Sequence, residues 1–273
     1  MTIFPSACTW LYGMPMIEAL KDIKTTAFHY VDMELEAIDA PGVSETLGEL
    51  GLKVSCVVLD RALPRDCSLE GDDAAHLRKA IDHIRRGLDK CVAAGARAVY
   101  VSSCRHRKNL KPFALALKEL SEAAEQKGIK FCVEHAPGRA LSTAREALSF
   151  VDGGQQSGLH LLLDTGHALI SKEKPHEIVA AAGKRLGYIQ MNDNDGRSDR
   201  HWALLDGRTS HEELALTLGA LREIAYDGTI GLEIKNDRAS VTGGLSKNRN
   251  LLLRMQLSEE VKSLKEPEAR RKN

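Results

Sequence analysis

Short β-branched or apolar runs alternate along the 273-residue chain with longer amphipathic stretches, the pattern of strands and helices that follow one another around a parallel sheet. Eight runs read as strands: Ile3 to Thr9, Ala27 to Leu35, Lys53 to Leu59, Ala98 to Ser102, Lys130 to Glu134, Leu159 to Leu163, Gly187 to Asn192 and Thr229 to Ile234. The stretches between them have helical periodicity. From Asp73 to Ala94, for example, Leu77, Ile81, Ile84, Leu88 and Val92 recur three or four apart and define one buried face. Helical stretches end at Gly51, Gly95, Gly128 and the Tyr226-Asp-Gly228 turn, where glycine accepts the left-handed backbone that stops a helix. Eight strand-helix units predict the α/β class and a single-domain (β/α)8 TIM barrel over residues 1–256. Residues 257–273, LSEEVKSLKEPEARRKN, read as a charged C-terminal tail that frays. An open doubly wound sheet is the competing architecture. It would usually stop at five or six strands, and no GxGxxG or Walker-type loop follows any of these runs.

Composition narrows the function classes. Lys plus Arg and Asp plus Glu both number 38, so no net charge draws the molecule to a phosphate backbone or an anionic membrane. No stretch approaches the roughly 18 apolar residues of a membrane span, and the N-terminus lacks a basic segment followed by an apolar run. The expectation is a cytoplasmic protein with a small-molecule partner, neither nucleic acid nor membrane; homo-oligomerisation is left open. Six cysteines (Cys8, Cys56, Cys67, Cys91, Cys104, Cys132) form no CxxC pair and read as reduced packing residues. A catalytic thiol at Cys104 or Cys8 would need an activating partner that no motif supplies.

Polar residues concentrate at the ends of the later strands, where barrel enzymes carry their chemistry. Glu134 and His135 close the fifth run, Asp164 and His167 follow the sixth, Gln190 and Asp193 the seventh, and Glu233 the eighth. Any one of these could cap a helix or pair with an arginine. Together they make a ring of carboxylates and imidazoles that repels itself unless a cation holds it, which predicts a divalent metal. The loop after the seventh run, from Asn192 to Gly207, brings Asp199 and His201 two apart, a spacing that lets both face one pocket; its bland reading is a solvated turn-rich loop. His135, Arg139, His167, Asp199 and His201 are the candidate substrate contacts, and Trp10 and Trp202 could stack on a sugar face.

These segments, VEHAPG at Glu134, LLLDTGHA at Asp164, IQMNDNDGRSDRHWALLDG from Ile189 to Gly207 and YDGTIGLEI at Glu233, resemble the xylose isomerase-like barrel superfamily. That superfamily groups sugar-phosphate isomerases and epimerases with apurinic-site endonucleases. The resemblance implies that Glu134, Asp164 and Glu233 are metal ligands and that Glu134 and Glu233 form the acid/base pair. At the seventh strand the family usually has histidine and this chain has Gln190, whose carbonyl oxygen suits Mn2+ or Mg2+ better than Zn2+, with Co2+ also admitted. His201 is the other candidate for that place.

The implied reaction is isomerisation or epimerisation of a keto sugar or related polyol: one glutamate removes the proton beside the carbonyl, the enediolate charge is stabilised by the cation, and the other glutamate returns a proton. A lyase or dehydratase acting on a keto-inositol, a dehydroshikimate-like acid or an oxidised glycoside would begin with the same proton abstraction. An apurinic-site nuclease would need further histidines, for which only His29 and His106 are available, and a barrel that has lost its metal through Gln190 is a fourth reading.

Overall fold

A computed structural model describes residues 4–61, 63–70, 73–153, 158–235 and 240–270, with side chains through residue 256. Eight parallel strands close into a barrel in chain order: β1 (Pro5–Cys8), β2 (Tyr30–Glu34), β3 (Lys53–Val58), β4 (Ala98–Ser102), β5 (Lys130–Glu134), β6 (Leu159–Asp164), β7 (Leu186–Met191) and β8 (Ile230–Leu232). The helices are α1 (Met16–Thr25), α2 (Leu35–Ile38), α3 (Val43–Leu50), α4 (Ala74–Ala93), α5 (Leu110–Glu125), α6 (Ala144–Gly153), α7 (Thr165–Ile170), α8 (Pro175–Ala182), α9 (His211–Glu223) and α10 (Val241–Arg270). The charged tail contributes backbone to α10 through Arg270; its side chains and residues 271–273 lie outside the described set. No helix among the described residues is long and apolar enough to cross a membrane, and all six cysteines are free.

Three of the four predicted glycine stops have left-handed backbone, with φ of +61° at Gly51, +81° at Gly95 and +72° at Gly128. The fourth is different: before β8 the left-handed residue is Ala225, at φ +54°. Gly228 is there for space, because a Cβ at that position would run into the Tyr226 hydroxyl.

The two-residue period of a strand sorts its side chains between two environments. Val99, Val101, Phe131, Val133, Leu161, Leu163 and Ile189 face outward and pack with the helices in the main core. Their neighbours Tyr100, Cys132, Leu162 and Tyr188 face inward and form a separate cluster with Cys56, Val58 and Ala98. Two residues further along the same inward faces stand Ser102, Glu134, Asp164 and Gln190, at the C-terminal ends of the strands. Strand register holds them level: Ser102 lies beside Glu134, and Asp164 beside Gln190.

Below this layer the barrel holds a carboxylate that the strand-end reading did not single out. Asp32 on β2 is fully buried and has no basic partner among the described residues. Hydroxyls surround it instead: Ser6 and Ser55 donate to Oδ1 at 2.6 and 2.5 Å, and the Tyr188 hydroxyl donates at 2.8 Å. Burial pushes its pKa up, opposed by those hydrogen bonds. Gly231 gives this cage its room, since a Cβ there would lie 2.6 Å from Asp32 Oδ2 and 3.1 Å from Gln190 Cγ. Gly231→Ala is therefore expected to destabilise the fold by about 1–3 kcal/mol, because the carboxylate has no free space to retreat into. Chemical denaturation of both proteins measures this, and an unchanged midpoint would contradict the packing described.

Candidate active site

The strand ends surround a cavity of about 550 Å3, lined among others by Arg61, Glu134, Arg139, His167, Asp199 and Glu233. Asp164 is fully buried behind this lining and is fixed by the fold itself. Its Oδ1 caps α7 by accepting the His167 amide at 2.8 Å, and its Oδ2 accepts the Asn192 side-chain amide at 2.9 Å. Gly166 makes the close approach possible, since any Cβ there would collide with the Asn192 side chain. Glu134 accepts from the Ser102 hydroxyl at 3.0 Å.

Ligand-type atoms of Glu134, Asp164 and His167 all lie within 4.8 Å of one another, close enough to hold one cation. His167 was read from the sequence as a substrate contact, and its hydrogen bonds bear on which role it can take. Its Nδ1 is 2.9 Å from the His135 carbonyl oxygen and its Nε2 is 3.3 Å from Asp199 Oδ2, so both ring nitrogens are engaged. Gln190 differs, because its fully buried Oε1 has no hydrogen-bond partner among the described residues. An orphan buried carbonyl on the face that carries Glu134 and Asp164 suits a metal ligand, as an unpaired oxygen there is otherwise costly. Carboxylate and amide oxygens together make a donor set for a hard divalent ion.

Across the mouth, Glu233 accepts from Trp10 Nε1 at 2.7 Å and lies 3.3 Å from Arg61 Nη2 through the same Oε1. Its Oε2 is 3.7 Å from His201 Nδ1. Asp199 joins the two halves, with Oδ2 at 3.3 Å from His167 and 3.1 Å from His201. His135 is fully buried, packs T-shaped on His167 with ring centroids 5.7 Å apart, and is not part of the cavity wall. Arg139 lines the cavity and donates to the Ser103 carbonyl at 2.8 Å.

The electrostatics follow from burial opposed by neighbours. Burial raises Glu134 to about 7, although His167 pulls the other way. Asp164 is raised by burial too. Burial works against charge on His167, yet Asp164, Asp199 and Glu134 together raise it well above the ordinary histidine value. His201 is raised to about 9, the hydrogen bond to Asp199 and the Glu233 charge overcoming its burial. Asp199 in turn is held well below the usual carboxylate range by those two imidazoles, despite its own burial. His135 is pulled down to about 3 by burial and by His167.

Asp193 serves the loop. It is fully buried and accepts the amides of Asn194, Gly207, Arg208 and Thr209, while its backbone forms an antiparallel bridge with Trp202. This pinned loop carries Asp199 and His201, the latter at φ +50°. The strand-end reading missed Arg61, which stacks 4.6 Å from the Trp10 ring centroid and ends the VVLDR segment after β3. The same positional signal applied to the early strands would have found it. His29 is exposed and precedes β2, at the end of the barrel opposite the cavity, and His106 is also exposed. Neither joins the carboxylates, and the extra histidine ligands that a nuclease would need are not assembled among the described residues.

This chain belongs to the xylose isomerase-like TIM barrel family, whose model matches residues 13–260. An uncharacterised protein of Methanocaldococcus jannaschii is 33% identical over 131 residues, covering 46% of this chain and 43% of that protein. An L-ribulose 3-epimerase of a Methylomonas species is 25% identical over 231 residues, covering 79% of this chain and 77% of the epimerase. Relatives that match over shorter stretches bear the names 3-dehydroshikimate dehydratase and inosose dehydratase. The crystal structure of a Methylomonas D-allulose 3-epimerase superposes with a TM-score of 0.77 at 19% identity, over 93% of this chain and 98% of that one, a likeness of fold. The named relatives are thus sugar epimerases and dehydratases.

Glu134 must be ionised to hold a cation, so its raised pKa links metal affinity to pH. Mn2+ affinity is expected to fall by about tenfold per pH unit below about 7 and to level off above it. Titration calorimetry across pH 5.5 to 8.5 measures the slope; a flat profile would count against Glu134 as a ligand.

Proposed function

We propose that this chain is a divalent-metal-dependent epimerase or isomerase of a keto sugar or sugar-like polyol, with Glu134 and Glu233 exchanging protons with carbon. The observation that carries the reading is the placement of these two carboxylates. They rise from β5 and from the end of β8, three strands apart on one rim, and both line the same cavity. Glu134 and Asp164, with ligand atoms within 4.8 Å of one another, and the unpartnered Oε1 of Gln190 are the oxygens that would hold the metal. Glu233, the fourth expected ligand, is outside that compact group and would join through Oε2, and the all-oxygen set favours Mn2+ or Mg2+. Such an ion polarises a carbonyl and stabilises negative charge developing on oxygen.

The chain's own groups supply the rest. Glu134, oriented by the Ser102 hydroxyl, is placed to exchange a proton with substrate carbon. Glu233 is oriented by Trp10 and Arg61, which occupy Oε1 and leave Oε2 toward His201. His201, whose Nδ1 has no hydrogen-bond partner among the described residues, is a donor for a substrate hydroxyl or carbonyl oxygen, and His167 joins it only by exchanging its Asp199 contact for substrate. Arg139 completes the set of substrate contacts. Removing a proton beside a carbonyl and returning it to the other face is epimerisation, and returning it to the neighbouring carbon is isomerisation.

A second reading is supported by the dehydratases among the relatives: the same abstraction followed by loss of water. Chelation is expected to abolish turnover, and Glu134→Gln and Glu233→Gln each to lower it roughly a hundred- to ten-thousandfold with the fold intact. Mass spectrometry of ketose and inosose reactions in D2O supplies the test. Solvent deuterium at carbon with otherwise unchanged mass marks an epimerase or isomerase, and a mass lower by one water marks a dehydratase. Full turnover after exhaustive chelation would refute the metal-dependent reading.

A further inference from the structure

Beside the main cavity lies a second chamber of about 340 Å3, and the two share Arg61, Ser102 and Arg139 as a common wall. Arg105 and Phe113 also line the second chamber. Two acidic groups line it as well: Glu70 accepts the Arg105 amide at 2.7 Å, and Asp60 accepts the Ser102 amide at 3.0 Å through Oδ2 while its buried Oδ1 has no hydrogen-bond partner among the described residues. The arginines of the shared wall are less fully matched. One arm of Arg139 donates to the Ser103 carbonyl, and no carboxylate lies within ion-pair distance of its guanidinium among the described residues. Arg61 lies over the Trp10 ring, 4.6 Å from its centroid, with Glu233 at 3.3 Å and Glu34 at 3.9 Å, and its side chain is 38% exposed.

Sugar hydroxyls can be met by neutral donors. Two half-buried guanidiniums side by side, one of them with no carboxylate within ion-pair distance among the described residues and only the Asp60 charge nearby, are more than a neutral sugar needs beside the reacting centre. Arginine's planar fork matches a carboxylate or phosphate, and stacking on an aromatic ring presets its orientation. We infer that the substrate carries an anionic terminus, carboxylate or phosphate, that seats between Arg61 and Arg139 at the junction of the two chambers. This rests on the reading that the main cavity holds the reacting carbon. It adds that the second chamber receives the charged end of the same molecule, and that Arg61 links the two because it also touches Glu233.

Binding of matched probes to the Mn2+-loaded chain tests this by calorimetry: D-ribulose 5-phosphate against D-ribulose, and 3-dehydroshikimate against an inosose. At least one charged probe is expected to bind about 10–100-fold tighter than its neutral counterpart, the range for hydrogen bonds to charged groups. Preference in the first pair alone identifies a phosphate terminus, and in the second alone a carboxylate. Arg139→Gln is expected to remove most of that margin while weakening the neutral probes far less, and Arg139→Lys to keep part of it. Equal affinities within both pairs, an equal loss of charged and neutral probes in Arg139→Gln, or no binding of any probe would overturn the inference. The same pairs run on the chelated chain separate the two readings. Failure to retain Mn2+ sinks the metal-dependent function, whereas the charge margin is decided by the arginines alone.

Discussion

Carboxylates crowded into an enclosed cup repel one another and lose the water that would otherwise stabilise them, and the mouth of this barrel is organised around offsetting that cost. Glu134, Asp164 and Glu233 lie within it at no more than 7% exposure. Each is tied to neutral donors that orient it without cancelling its charge: Ser102 for Glu134, Asn192 and a helix amide for Asp164, Trp10 for Glu233. Positive charge comes from outside the strands, from His167, His201 and Arg61. The division holds the carboxylates in place by contacts that do not neutralise them, which is what a cation-binding cup would require.

The layer below follows the same constraint by another route. Asp32 takes hydroxyl donors in place of a cation, so the centre of the barrel is polar and yet closely packed. Cys8 stands between the layers, with Sγ 3.6 Å from Asp32 Oδ2 and 4.0 Å from Gln190 Nε2. Gly231, beneath Glu233 on the same inward face, allows both layers to sit this close.

Strand number and order were legible because apolar run length and helical periodicity are local properties. The eight expected runs overlap the eight observed strands. Glu134, Asp164 and Glu233 were legible for a related reason, since a charged residue at the end of an apolar run has few structural explanations. Partnerships were not. Nothing local indicates that both nitrogens of His167 are engaged, that His135 lies behind the cavity wall, or that Asp193 is a pin for backbone amides. Those facts depend on which loops meet after the ring closes. Arg61 fell outside the reading because it follows an early strand, and Trp10, expected to stack on a sugar face, instead carries Arg61 over its ring and donates to Glu233 where closure places the end of β8 beside β1.

The loop that Asp193 gathers has a consequence for how such a barrel changes its chemistry. One side chain binds four amides, and the bridge to Trp202 ties off the interior of the segment, so its shape is specified largely by itself. Asp199 and His201 ride on it as a cassette. Exchanging that cassette for one of another length would replace the pair of groups facing the cavity in a single event, while the strands and their buried acids stayed in register.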